Sequence, residues 1–178
     1  MAVDPADGLP SPANPGAMRV HPYRTFKRGL SSLLARQARR PALSPAELLA
    51  LEPRRILIVR QHNQMGDMVC ATPALRAIKE SFPGAALALV TSPVNEEVVR
   101  HNPYLDRVVS FEQGMWRNPT LFFRFLGKLR NFRADVAFVL SSVSFSVTSA
   151  NIALFSGARY VVGSDSEPFG WDLSLIHI

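Results

Sequence analysis

Apolar positions along this chain follow two alternating rhythms. Short unbroken runs such as Ile56-Leu57-Ile58-Val59 read as strands buried on both faces. Longer stretches with apolar residues three and four apart read as helices. This alternation predicts a strand over 55–61, a helix over 67–82, a strand over 86–91 and a short helix over 95–100. Beyond them it predicts a strand over 107–111, a basic amphipathic helix over 120–132 and a nearly all-apolar strand over 134–140. A helix over 144–155 and a strand over 160–163 complete the body. Pro73 interrupts the first long helix, where Thr72 offers a local cap, and Phe82-Pro83-Gly84 ends it. Strands and helices in strict turn, joined by short links, specify an α/β fold on a parallel sheet with right-handed crossovers.

The pattern fades toward both ends. Residues 1–18 are rich in Pro with little apolar periodicity, and are expected to be disordered; Met18 is an alternative start to Met1. Residues 19–40 carry seven Lys/Arg and no acid, with Phe26, Leu30, Leu33 and Leu34 at helical spacing. Two readings stand for that segment: docking to an anionic membrane surface, or a solvated helix packed on the body. Ser44-Pro45-Ala46-Glu47 has the form of a capping box, so residues 19–53 read as a basic, partly helical extension to a body over 54–172. The last six residues, Leu173 to Ile178, roughly alternate and read as a sixth strand. They also match the translation of CTG-TCT-CTT-ATA-CAC-ATC, the end of a transposase adapter, and 173–178 are expected to be that artefact.

Composition narrows the class. A chain of 178 residues, 47% hydrophobic and 19% charged, supports one domain with a substantial core. The net charge of +6 is lopsided: residues 1–55 hold nine bases and four acids, residues 56–178 eleven and ten. The α/β body is thus nearly neutral, which argues against a nucleic-acid partner. No apolar stretch reaches the roughly 18–20 residues that cross a bilayer, and nothing reads as a secretory signal. With Cys70 as the lone cysteine, a reducing cytoplasm is the expected compartment.

Candidate chemistry gathers after the first strand, where ligands of parallel sheets sit. His62, Asn63 and Gln64 form a donor-rich loop suited to sugar hydroxyls or phosphate, with plain solvated polarity as the equal alternative. Asp67 stands at the start of the next helix, either as a cap or as a general base, and capping is the commoner job. Gly66 beside it allows a sharp turn or close approach of a ligand. No G-x-G-x-x-G and no G-K-[ST] follows the strand, which disfavours nicotinamide chemistry and P-loop phosphoryl transfer. Cys70 reads as a buried structural thiol. Arg124, Lys128, Arg130 and Arg133 make a basic face, by default solvated, alternatively for a phosphorylated lipid. No Cys/His spacing of the metal type occurs.

Taken together, ILIVR, MGDMVCATPALRAIKESFPGA and NPYLDRVVSFE, supported by FRADVAFVL and LFSGARYVVG, resemble glycosyltransferase family 9, the heptosyltransferases of lipopolysaccharide core assembly. The resemblance covers residues 54–163. It implies a Rossmann-like domain, the N-terminal, acceptor-side half of a two-domain GT-B enzyme, with the donor-binding half missing from the chain. It further implies inverting transfer without cofactor or essential metal. A nucleotide-sugar donor such as ADP-heptose would be a substrate, and a lipid-linked or saccharide acceptor the other. Asp67 matches the family's catalytic base, and Arg60, Asn63, Gln64 and Gly66 fall on the acceptor side. The implied setting is cytoplasmic, peripheral on the inner face of the inner membrane. Without its second half, the chain is expected to be catalytically silent. The competing expectation is a non-catalytic α/β module that docks to a membrane or a partner.

Overall fold

The computed structural model describes residues 44–140, 146–164 and 176–177. Strands β1 (Arg55–Arg60), β2 (Ala86–Thr91), β3 (Arg107–Ser110), β4 (Val136–Val139), β5 (Tyr160–Gly163) and β6 (Ile176–His177) form one sheet. All neighbours run parallel, in the order β3-β2-β1-β4-β5-β6. The chain therefore builds outward from β1 in one direction, returns, and builds outward in the other. That is the doubly wound Rossmann-like arrangement.

Successive side chains of a strand point to opposite faces, and both faces are covered. Leu57, Val59, Ala88 and Val90 pack against α4 (Pro119–Phe132) and α5 (Val147–Phe155), chiefly Phe125, Leu129 and Ile152. Ile56, Ile58, Leu87 and Leu89 pack against α2 (Met65–Ser81) and α3 (Pro93–Val99), through Met68, Leu75 and Val99. Each such buried Val, Leu, Ile, Phe or Met side chain contributes about 1.5–3 kcal/mol. Leu48 of the short helix α1 (Pro45–Leu49) docks on Val136, Tyr160 and Val162, tying the extension to the sheet. The capping box forms: the Glu47 N–H donates to Ser44 Oγ at 3.2 Å, and the Ser44 N–H donates to Glu47 Oε2 at 2.7 Å.

Several boundaries move from their expected places for local reasons. α2 opens at Met65 instead of Asp67, because Gln64 has the extended backbone of an N-cap (φ −95°, ψ 107°). α3 opens at Pro93 because Ser92 caps it, its Oγ accepting from the Asn95 N–H at 3.4 Å. Asn118 does the same before Pro119 in α4. A polar cap followed by Pro at the first helical position is a start signal that apolar spacing alone overlooks. Pro73 leaves α2 continuous. It has no N–H for the carbonyl of Val69, and the Thr72 hydroxyl donates to that carbonyl instead, at 2.7 Å.

Two aspartates lace the amino edge of the sheet. Asp135 Oδ2 accepts from the N–H groups of Arg54 and Arg55 at 2.8 and 2.9 Å, which holds the start of β1 to the start of β4. Asp106 Oδ2 accepts from the Leu87 N–H at 2.8 Å and pairs with Lys79 at 3.6 Å, which holds β2 to β3. The pairing of Ile176–His177 with Val162–Gly163 adds a sixth strand two residues long, the alternative to the artefact that the alternation of 173–178 had offered. The adapter reading concerns the coding DNA. The basic segment 19–40 and residues 1–18 lie outside the described residues. Asp135→Ala removes an acceptor shared by two backbone donors. It is expected to lower the unfolding free energy by about 1–3 kcal/mol, read as a lower urea midpoint at constant m.

Candidate functional site at the switch between β1 and β4

Neighbouring strands whose crossovers leave on opposite faces open a crevice at their carboxyl ends. Here those strands are β1 and β4, and the residue that spans the gap is Arg60, the last of β1. Its side chain is only 5% exposed. Nη1 donates to the carbonyl of Leu140, just past β4, at 3.1 Å. Nη2 stands 3.1 Å from Asp67 Oδ2 in the first turn of α2. One buried guanidinium thus ties both sides of the switch point to the carboxylate.

The same edge is held by a second set of polar contacts. The Gln61 side chain is buried, and its Nε2 donates to Ser146 Oγ at 3.4 Å. Ser146 in turn caps α5, accepting from the Ser149 N–H at 3.3 Å. The carbonyl of His62 accepts from Asn95 Nδ2 and from Ser92 Oγ, both at the start of α3. The loop after β1 is therefore anchored on one side to α3 and on the other to α5. Asn63, Gln64, Met65 and Gly66 stand exposed above those anchors.

Asp67 occupies the third position of α2, but no side-chain hydrogen bond caps this helix. The first-turn N–H groups of a helix have no intrahelical partner, and here they are left directed at the carboxyl edge. Capping is thus not what the Asp67 carboxylate does. It stays 40% exposed, oriented from below by Arg60 and open to a ligand from above. Gly66 adopts a helical backbone, so a sharp turn is not its purpose. A Cβ built there meets nothing within 4 Å, so no packing within the described residues calls for a glycine.

The four residues expected beside Asp67 separate into two levels. Asn63, Gln64 and Gly66 line the open edge with Asp67, whereas Arg60 lies beneath it and reaches a ligand only through the carboxylate it positions. Gln61, Ser92, Asn95 and Ser146 were missed by the pattern reading. The available signals were the Ser92-Pro93 start and a polar Asn95 among apolar neighbours. Cys70 is a correction: it is exposed instead of buried. The helical period sets it opposite Met68, Ala71 and Leu75, the face that meets the sheet. Among the described residues, no group of three His, Cys, Asp or Glu side chains stands close enough to hold a metal ion. Nor is any helix among them long and apolar enough to cross a membrane.

Comparison with solved structures places this architecture. A glycosyltransferase of family 9 from Veillonella parvula superposes with a TM-score of 0.57 at 17% identity, over 72% of this chain and 36% of its own. The E. coli heptosyltransferase WaaC with ADP superposes with a TM-score of 0.54 at 22% identity, over 69% of this chain and 39% of its own. The fold is that of family 9 glycosyltransferases. The chain spans between one third and two fifths of the length of these structures. No protein-family profile and no curated protein sequence matches it.

Within the family 9 fold, the Arg60–Asp67 pair is asymmetric, and two substitutions expose this. Asp67→Ala leaves a buried guanidinium without its carboxylate and is expected to cost about 2–3 kcal/mol. Arg60→Met leaves a carboxylate that water already reaches and fills the same space, so about 1 kcal/mol or less is expected. Urea unfolding of the two variants measures the difference, and equal or reversed costs would contradict the asymmetry. Gly66→Ala, in open helical backbone, is expected to raise the unfolding free energy by about 0.5–1 kcal/mol in the same assay.

Proposed function

We propose that the chain is the acceptor-side half of a family 9 glycosyltransferase, with Asp67 as the general base. The observation that carries this is the Asp67 carboxylate itself. It sits at the carboxyl end of β1, is held by a buried arginine, serves no cap, and is open to a ligand. In the parent enzyme the acceptor hydroxyl approaches over Asn63, Gln64 and Gly66. Its proton passes to Asp67 as its oxygen bonds to the anomeric carbon of the donor sugar. The bond from that carbon to the phosphate oxygen breaks, and the nucleoside diphosphate leaves with the electron pair. Attack from the face opposite the leaving group inverts the anomeric centre. Arg60 takes no part in the bond changes and keeps the carboxylate aimed at the acceptor.

The donor in this reading is a nucleotide-activated heptose or related sugar, ADP-heptose being the simplest candidate. The acceptor is a lipopolysaccharide core or another lipid-linked or polysaccharide chain. No step calls for a metal or cofactor. The glycine that packing on this chain does not require is explained by an acceptor seated closely over the first turn of α2. Exposed Met65, Val69 and Val94, in the opening turns of α2 and α3, are apolar surface on the same edge. We propose that the donor-binding half closes over them. The rival reading is a binding module without catalysis, in which Asp67 only recognises a ligand.

Asp67→Asn in the full-length parent separates the two. The amide keeps the shape and an acceptor oxygen for Arg60 but cannot take a proton. Sugar transfer is expected to fall by roughly 10²–10⁴-fold in kcat, with thermal unfolding and acceptor affinity little changed. Turnover equal to that of the parent would favour the binding module. The 178-residue chain alone is expected to transfer no sugar from the same donor.

A further inference from the structure

The outer face of α4 is built for a surface other than water. Phe123 is 68% exposed, and Trp116, in the 3₁₀ turn before the helix, is 46% exposed. With Leu121 they place three of the seven large exposed apolar side chains among the described residues within the eight residues 116–123. At 100° per residue, Phe123 points away from Phe125 and Leu129, the buried anchors of the helix. Arg124 and Lys128 stand on one side of it and Arg130 on the other. Arg117 lies over the Trp116 ring, 5.3 Å from its centroid.

Charge along the chain makes the patch distinctive. Between Gln113 and Ala134 there are five Lys/Arg and no acid. The rest of residues 56–178 holds six bases and ten acids, so this segment is +5 against −4 for the remainder. All five cations are exposed. A single outward Phe is ordinary on a surface; here it is joined by an exposed Trp seven positions earlier, and the 22 residues 113–134 carry cations with no acid among them. Exposed aromatic rings flanked by cations alone match a bilayer interface, where rings enter the headgroup region and cations meet anionic lipid.

We infer that α4 and the turn before it dock the chain on an anionic lipid surface, with Trp116 and Phe123 inserted and Arg124 and Lys128 against headgroup phosphates. This goes beyond the glycosyltransferase reading and stands without it, because it rests on exposure and charge and not on Asp67. If both hold, the membrane and the acceptor edge are on neighbouring sides. In a parallel α/β layer, the N-terminal end of each helix lies at the carboxyl edge of the sheet, and Trp116 precedes α4 there.

The test uses the full chain with Trp171→Phe, so that Trp116 is the sole tryptophan. Vesicles of phosphatidylcholine, with and without phosphatidylglycerol, are the probe. Binding is expected only to the anionic vesicles, weakened by salt, with a blue shift of Trp116 emission. Phe123→Ser is expected to weaken it about tenfold. Arg124→Glu with Lys128→Glu is expected to weaken it more than tenfold, since each cation at the surface contributes about fivefold. Urea midpoints close to that of the parent chain show that these exposed substitutions leave the fold intact. Absence of binding, or equal binding to both vesicles, overturns the proposal. So does binding that both variants leave undiminished with Trp116 unshifted, a result that would assign membrane contact to the basic segment 19–40.

Discussion

Everything at the candidate site depends on one buried charge. A guanidinium almost fully removed from water is costly unless its protons are met by acceptors of the right geometry. Arg60 meets part of that demand by reaching across the gap between β1 and β4, to the carbonyl of Leu140 on one side and to Asp67 on the other. The requirement works in both directions. The arginine needs the carboxylate to be tolerated where it is, and the carboxylate gains a fixed direction from a partner that cannot move. Because the strands beneath are packed on both faces, the last residue of β1 has little freedom. The position of Asp67 is thus inherited from the sheet instead of from its own exposed loop.

The three aspartates singled out by structure illustrate how one side chain serves different ends of the same sheet. Asp106 and Asp135 stand at the amino edge, where strand starts present N–H groups: Asp135 accepts from two of them, and Asp106 accepts from one beside its pairing with Lys79. Asp67 stands at the carboxyl edge with a guanidinium as its partner and water on its remaining side. Asp106 in NPYLDRVVSFE and Asp135 in FRADVAFVL therefore align strands, whereas Asp67 in MGDMV pairs with Arg60 and aligns none. The amino-edge pair is tied to backbone that the sheet must hold, while Asp67 meets a buried cation from the surface and holds no strand.

Much of the fold was legible because the two periodicities are well separated. Ala86–Thr91 and Tyr160–Gly163 were read to the residue, since a strand covered on both sides has apolar residues without gaps. Helix starts were read late at Asn95 and Thr120, because apolar spacing begins only after the polar cap and its proline, and at Asp67, where the first turn opens on Met65-Gly66 with neither signal. At the site, Asp67 and Gly66 were visible from their place after a strand. The burial of Arg60 was not. An arginine ending an apolar run normally marks the return to solvent, and only the neighbouring strand reveals a carbonyl waiting for it. Gln61 and Asn95 were hidden for the same reason: their partners Ser146 and His62 are 85 and 33 residues away. Cys70 was misjudged by residue type, and the phase of its own helix would have placed it correctly.

The exposed side chains point to a division of labour among the faces. At the carboxyl edge, α2 and α3 begin with Met65, Val69 and Val94 in solvent, and no cations accompany them in those first turns. On the opposite face of the sheet, α4 shows Phe123 among cations and no acid. Apolar surface without charge suits contact with another packed protein surface, whose desolvation tolerates few ions. Apolar surface ringed by one sign of charge suits a lipid boundary, where rings and headgroups are met together. Burying Phe123 against protein would strip water from Arg124 and Arg130 with no acid on this chain to receive them. At a lipid surface the same movement brings them to phosphate. The two kinds of exposed apolar surface are therefore not interchangeable, and the chemistry beside each one separates them.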